Sequence, residues 1–215
     1  MSAQYNTYTI THTDALLVVD VQNDFCPTGS LPVPKGDEVV PIINDLIPKF
    51  THIVLTQDWH PNDHISFAAN HADKAPFETI ELPYGEQVLW AVHCVQDSDG
   101  AEFHKDLRTH HAQLIIRKGH HRDIDSYSAF LEADRITLTG LSGYLQAHGI
   151  QRVFVAGLAT DFCVAWTAVD AVHFGFETFV IDDACRAIDT QGSLNKAWAD
   201  MEKWGVKKVG SSDIL

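Results

Sequence analysis

Positive charge is scarce in this chain: 15 Lys and Arg stand against 29 Asp and Glu, a formal net charge of −14 over 215 residues. Nucleic-acid binding begins with lysine and arginine neutralising phosphates, so this balance argues against a nucleic-acid partner, and against an anionic membrane surface for the same reason. Long apolar runs are missing too. Stretches such as Ala15 to Val19 and Gln113 to Ile116 fall far short of the roughly 20 residues a spanning helix needs, and the N-terminus lacks the basic and apolar regions of a signal peptide. A cytoplasmic location is therefore expected. Cysteine is sparse and scattered: Cys26, Cys94, Cys163 and Cys185 make no disulfide framework and are expected to be reduced thiols, three of them plain buried residues and one available for chemistry. Internal repeats, low-complexity tracts and Gly/Ser linkers are also absent, so residues 1–215 read as one domain.

What is present is an alternation of short, branched apolar runs with longer helical stretches. Strands are expected at Ala15 to Val19, His52 to Thr56, Ala112 to Arg117, Arg152 to Gly157, Glu177 to Ile181 and, more weakly patterned, Val206 to Val209. Helices are expected at Asp37 to Phe50, Leu141 to His148, Phe162 to Phe174 and Thr190 to Trp204, with Gly149, Gly175 and Gly205 as left-handed caps. Near-continuous apolar strands suit a parallel sheet covered on both faces. The expected fold is a three-layer α/β/α domain with a mainly parallel, about six-stranded sheet. Pro27 to Pro34 and Asn62 to Gly85 read as ordered functional loops.

In such sheets ligands bind beyond the carboxyl ends of the strands, and the residues there are reactive. Asp20 follows the first strand, Asp58 and His60 the second, Lys118 the third and Cys163 the fourth. Cys163 opens a helix after Thr160 and Asp161, two capping candidates, where free N–H groups and the positive dipole end favour a thiolate and can hold an oxyanion. An aspartate fixed by a lysine supplies the proton acceptor a thiol nucleophile needs. Asp58 and His60, two apart, point the same way in extended chain, and His64 and His93 offer further imidazoles. This mixture of carboxylate and imidazole suits zinc, iron or manganese, with positions left open for water or substrate. His120 and His121, just after Lys118, are left without an assigned role. Phe25, Trp90 and Tyr127, together with Leu158, are the expected walls of a pocket for a flat ring.

These residues fall in segments that together resemble a known family: Val-Asp-Val-Gln-Asn-Asp-Phe-Cys (19 to 26), Gly-Ser-Leu (29 to 31), Thr-Gln-Asp-Trp-His-Pro (56 to 61), His-Ile-Ser-Phe-Ala (64 to 68), Trp-Ala-Val-His-Cys-Val (90 to 95), Arg-Lys-Gly (117 to 119) and Gly-Leu-Ala-Thr-Asp-Phe-Cys-Val (157 to 164). The chain resembles the nicotinamidases, also called pyrazinamidases, of the isochorismatase-like cysteine hydrolase superfamily, from about Asp14 to its C-terminus. The resemblance implies hydrolysis of a small-molecule amide, nicotinamide to nicotinate and ammonia, in pyridine nucleotide (NAD) salvage. It implies an Asp20, Lys118, Cys163 triad, one divalent metal ion on Asp58, His60 and His93, an oxyanion hole from the N–H groups of Ala159 and Cys163, and a cis peptide between Leu158 and Ala159. The histidine matching His64 binds the metal in some members and not in others, and members differ in whether and how they form homo-oligomers. Two rivals accompany this reading: an isochorismatase or N-carbamoyl amidohydrolase of the same superfamily, and a metallohydrolase or metal-binding module without a thiol nucleophile.

Overall fold

In chain order the strands are β1 (Asp14–Val19), β2 (His52–Asp58), β3 (Thr79–Leu82), β4 (Gly85–Val88), β5 (Leu114–Lys118), β6 (Arg152–Leu158), β7 (Glu177–Arg186) and β8 (Lys207–Val209). The α-helices are α1 (Val39–Leu46), α2 (Leu141–Ala147), α3 (Ala165–His173) and α4 (Ser193–Lys203). The computed structural model describes residues 7–215. Every residue of β1 is buried, which requires cover on both faces of the sheet. Leu16 and Val18 face one core with Val39, Ile43 and Leu46 of α1, whereas Ala15, Leu17 and Val19 face another with Leu145 of α2, Ala168 of α3 and Met201 of α4. The alternation along one strand thus fixes the three layers.

Six strands form one sheet in the order β5-β2-β1-β6-β7-β8, every pair parallel. From β1 the chain builds outward through β2 to β5, then crosses back to place β6 on the other side of β1. That reversal leaves a crevice at the carboxyl ends of β1 and β6, the expected place for a ligand. Beneath the crevice β1 and β6 approach so closely that a Cβ on Gly157, whose φ is +122°, would lie 2.1 Å from the Val19 carbonyl oxygen. Only glycine fits there.

The expected elements are present with shifted ends. β2 runs on to Asp58 and β5 to Lys118, so these two residues finish their strands rather than follow them. The stretch Asp37 to Phe50 is α1 flanked by single 3₁₀ turns, the second of which carries Pro48 at its start. Gly149, Gly175 and Gly205 have positive φ, as their capping role requires. The region Asn62 to Gly85 is more regular than expected, because its end belongs to the antiparallel hairpin β3–β4.

Candidate active site

Lys118 is the centre of the site. Its side chain is fully buried at the end of β5, with Nζ 2.8 Å from Asp20 Oδ2. The ammonium donates to Asp58 Oδ1, to the Ser126 carbonyl at 3.1 Å and to Cys163 Sγ at 3.4 Å. Asp20 leaves β1 with φ of +47°, and its Oδ1 accepts the Thr56 hydroxyl at 2.6 Å. Its Oδ2, although close to the ammonium, receives no directed hydrogen bond. Carboxylate oxygens of Asp20 and Asp58 and the Cys163 sulfur all lie within 4.8 Å of one another. The structure therefore brings Asp20, Lys118 and Cys163 together, with one buried carboxylate oxygen left to accept a proton.

Burial pushes the Asp20 carboxyl above its ordinary range, and the attraction of Lys118 offsets this only in part. Burial also pushes the Cys163 thiol well up; Lys118 opposes it, while Asp20 and Asp58 add to it. Lys118 is held well above its ordinary value because the two carboxylates outweigh its own burial. The surroundings of the sulfur thus oppose the thiolate that its place at a helix start would favour. Two nearby carboxylates and loss of water outweigh the helix terminus there. Thr160 and Asp161 do not cap the turn either. Residues Thr160–Val164 form a wide turn, closed by the Val164 N–H on the Ala159 carbonyl at 3.1 Å, before α3 begins. The Asp161 carboxylate instead accepts the N–H groups of Ile188 at 3.1 Å and Asp189 at 2.8 Å and the Ser193 hydroxyl, tying this turn to the segment after β7.

Asp58, His60 and His93 form the other end of the site. Asp58 Oδ2 lies 3.6 Å from His60 Nε2 and 3.8 Å from His93 Nε2. The Nδ1 of His60 donates to the Gly119 carbonyl and that of His93 to the Ala91 carbonyl, each at 2.8 Å, a tautomer assigned from the acceptors. Both Nε2 lone pairs are thereby turned toward Asp58, the arrangement of a metal site whose outer partners fix the imidazoles. Asp58 itself is braced by Gln22, whose amide donates to the Asp58 carbonyl at 2.9 Å and accepts its N–H at 2.8 Å. Burial alone would raise the Asp58 carboxyl, but Lys118 and His60 hold it well below the usual range. Three buried donors, one of them firmly ionised, fit a divalent ion of zinc-like character.

His64 stacks its ring 4.2 Å from that of His60. Its Nδ1 accepts from Ser66 and its Nε2 donates to the Ile124 carbonyl at 3.2 Å. Burial, then the neighbouring His60, push its pKa down to about 4. Its ligand atom groups with His60 and Asp125 rather than with Asp58 and His93.

A narrow cavity joins the two ends, lined by Phe25, Leu31, Trp90, Asp125, Ser126, Tyr127, Ala159, Phe162 and Ile188 together with Asp58, His60, His93 and Cys163. Three expected wall residues, Phe25, Trp90 and Tyr127, are there. Phe25 packs on His93 with ring centres 5.4 Å apart, and the Trp90 indole N–H donates to the Tyr127 hydroxyl at 3.1 Å. Leu158 is not a wall: its side chain is fully buried in the core beside Val33 and Gly36, because β6 continues through it. The peptide joining it to Ala159 is cis. Ala159 lines the cavity together with Cys163.

Leu31, Asp125, Ser126, Phe162 and Ile188 were missed as walls. Phe162 adjoins Cys163 in sequence, but the other four lie in loops without a local signal. Gln22 and Asp24 sit in the same motif as Asp20 and act as braces. Asp24 accepts the Cys94 N–H at 2.7 Å and the Ser30 N–H at 3.0 Å, holding the His93 loop against the first strand's loop.

A family model described as Isochorismatase domain matches residues 14–213, and the chain belongs to the isochorismatase family of hydrolases. Within that family it is similar to nicotinamidases and pyrazinamidases, amidohydrolases that act on a linear amide. The nicotinamidase of Acinetobacter baylyi is 59% identical over 201 residues, 94% of each chain. The solved structure of an Acinetobacter baumanii nicotinamidase/pyrazinamidase has a TM-score of 0.93 and 60% identity, covering 94% of this chain and 98% of its own. An L. infantum PnC1 in complex with nicotinate has a TM-score of 0.86 at 37% identity, covering 97% of this chain and 98% of its own. A Pyrococcus horikoshii pyrazinamidase in complex with zinc has a TM-score of 0.76 at 38% identity, covering 92% of this chain and 99% of its own.

Proposed function

We propose that this protein hydrolyses nicotinamide to nicotinate and ammonia through a thioester on Cys163, and accepts pyrazinamide as a second substrate. The observation that carries the reading is Asp20 Oδ2, a buried oxygen without a directed donor, beside the Cys163 sulfur and a lysine ammonium. Phe25, Trp90 and Tyr127 wall the cavity for a flat ring whose carboxamide lies over Cys163.

Asp20 takes the Cys163 proton as the sulfur attacks the amide carbon, and its raised pKa makes that transfer less uphill than an ordinary carboxylate would. Lys118 keeps its charge throughout and steadies the carboxylate and the sulfur as negative charge moves between them. The carbonyl oxygen, now an oxyanion, takes the Ala159 and Cys163 N–H groups. Asp20 then passes the proton to the nitrogen, the C–N bond breaks and ammonia leaves. In the second half Asp20 deprotonates a water, which adds to the thioester carbon; the C–S bond breaks, the proton held by Asp20 returns to sulfur, and the product acid loses its remaining proton to solvent as nicotinate. Asp58, His60 and His93 would hold one divalent ion, with His64 as a further ligand if its ring turns. When bound, that ion supplies a Lewis acid that takes a ring nitrogen and fixes the ring's position. Zinc is the reading the Pyrococcus horikoshii relative supports, with iron and manganese as the alternatives the donor set admits. Nicotinate is a precursor class for pyridine nucleotides, which gives the enzyme a place in NAD salvage in the cytoplasm.

The test is ammonia release from nicotinamide by the wild-type protein beside Cys163→Ala at equal metal content. Release by wild type and none by the variant is expected. Release by both would show that the thiol is not the nucleophile and would favour metal-bound hydroxide, and release by neither would remove the amide assignment.

A further inference from the structure

Beyond the catalytic site, one other cluster of metal-ligating side chains is present among the described residues: His120, His121 and Glu132, whose ligand atoms lie within 4.8 Å of one another. His121 Nδ1 is 2.7 Å from Glu132 Oε2 and His120 Nδ1 is 3.7 Å from Glu132 Oε1. The carboxylate side chain is only 2% exposed, whereas the imidazoles are 48% and 46% exposed. An inward-folded carboxylate is therefore roofed by two adjacent rings, with centres 4.0 Å apart, that face water. Ligands around a zinc-like ion at about 2.0–2.2 Å stand about 3.3 Å from one another in tetrahedral geometry. The observed separations bracket that value, so rotations of the two exposed rings suffice to close the set. We infer that His120, His121 and Glu132 form a second divalent-metal site, of two imidazoles and one carboxylate, with its remaining positions open to solvent.

The place of this cluster gives it a consequence. Residues 119–132 form one loop whose ends are His120/His121 and Glu132 and whose middle supplies Asp125, Ser126 and Tyr127 to the catalytic pocket. The first residue of the loop, Gly119, gives its carbonyl to His60, and Ser126 gives its carbonyl to Lys118. An ion joining the two ends would close this loop as a clip and narrow the motions of the pocket wall, because a cross-link removes the open conformations of the segment it spans.

Zinc alone is the probe. The protein is saturated with Zn²⁺, loosely held metal is removed by gel filtration at a fixed micromolar free zinc concentration, and zinc per chain is counted by elemental analysis for wild type, His120→Ala/His121→Ala and Glu132→Gln. Because the imidazoles are half-exposed, the double variant keeps its fold, which circular dichroism checks. The expected result is a loss of one zinc per chain in the double variant and in Glu132→Gln. Equal zinc in wild type and double variant would overturn the site, and full zinc in Glu132→Gln would overturn the carboxylate's part in it. Amide exchange across residues 121–132 reads the clip: zinc should slow it in wild type and not in the double variant. Bound zinc with unchanged exchange would overturn the clip.

Discussion

Asp20 and Asp58 stand at the ends of two neighbouring parallel strands, both buried and both against the Lys118 ammonium, yet their surroundings push them apart. At Asp20 burial prevails and the carboxyl titrates above its ordinary range. At Asp58 the same penalty is overcome by Lys118 together with the neighbouring His60, and the carboxyl is held well below that range. The residue type is the same, so the difference lies in the surroundings: Asp58 has His60 and His93 at its second oxygen, whereas Asp20 has the Thr56 hydroxyl. A permanently charged carboxylate suits a metal ligand, which must be deprotonated to bind. One poised nearer neutrality suits a group that takes and returns a proton. Pairs of carboxyls driven in opposite directions are a general sign of divided roles.

Neutralising each aspartate breaks the comparison most directly. Asp20→Asn should lower kcat by about 10²- to 10⁴-fold, the usual worth of a positioned base, with metal content unchanged. Its thermal stability should fall by less than that of Asp58→Asn, because relief of a buried charge offsets part of the loss of one Lys118 partner. A carboxyl whose folded pKa is raised favours the protonated form in the fold, so its charge costs stability at neutral pH, and that cost vanishes as pH drops through the folded value. For the same reason the acid limb of kcat/KM in the wild-type enzyme should lie above the ordinary aspartate range. Asp58→Asn should lose more stability. A depressed carboxyl contributes stability above its unfolded pKa that is lost only as pH falls through the lower folded value. At neutral pH the variant forfeits that contribution and removes one partner of a buried ion pair, at a cost of about 3–5 kcal/mol, and it loses metal. A loss of melting temperature in Asp20→Asn as large as that in Asp58→Asn would end the contrast.

The placement of these residues is legible in the sequence, because parallel sheets put strand-end residues on one rim: Asp58 and Lys118 end their strands, Asp20 follows β1 and Cys163 lies in the turn after β6; the opposite pKa shifts of the two aspartates are not. The near-continuous apolar strands between helical stretches likewise imply a sheet covered on both faces. What was not legible depends on distances across the fold. The upward push on the Cys163 thiol comes from burial and from two carboxylates brought within 4.8 Å, which a helix-start argument does not see. Leu158 looked like a pocket residue because it precedes Ala159, but β6 runs one residue further than its branched core and keeps that side chain in the interior. The hairpin β3–β4 was missed because its burial is partial and irregular: Glu81 and Glu86 face each other across it, and only Gln87 is buried. Neither strand carries the apolar run that marks a buried strand.

The histidine end can be sharpened without touching a ligand. A Cβ at Gly119, where φ is +62°, would stand 2.4 Å from His60 Cε1. Gly119→Ala must therefore shift either the His60 ring or the carbonyl that orients it, and metal affinity should drop by about 10- to 100-fold, the usual cost of losing an outer partner. Turnover at saturating metal should stay close to wild type, since Asp20 and Cys163 are not in contact with that methyl. A zinc titration read by activity and by binding separates the two; unchanged affinity would mean that the Gly119 carbonyl does not set the His60 ring.

The smallest effect belongs to the hairpin that the sequence hid. Gln87 sends its amide to Asp125 Oδ2 at 2.6 Å, to the Val88 carbonyl at 2.7 Å and to the Tyr127 hydroxyl at 3.3 Å, while its Oε1 accepts the Tyr84 hydroxyl at 3.0 Å. It thereby holds two pocket walls against the hairpin without reaching Cys163 or the metal donors. Gln87→Leu keeps the volume roughly constant but leaves the buried Asp125 oxygen without its donor, a loss of about 1–3 kcal/mol. Most of that should appear as looser walls. KM for nicotinamide should rise several-fold, up to about tenfold for each 1.4 kcal/mol that reaches the bound state, while kcat stays near wild type because the charge cluster around Lys118 is intact. A fall in kcat at unchanged KM would place the hairpin in the chemistry of the Asp20 end rather than in the shape of the pocket.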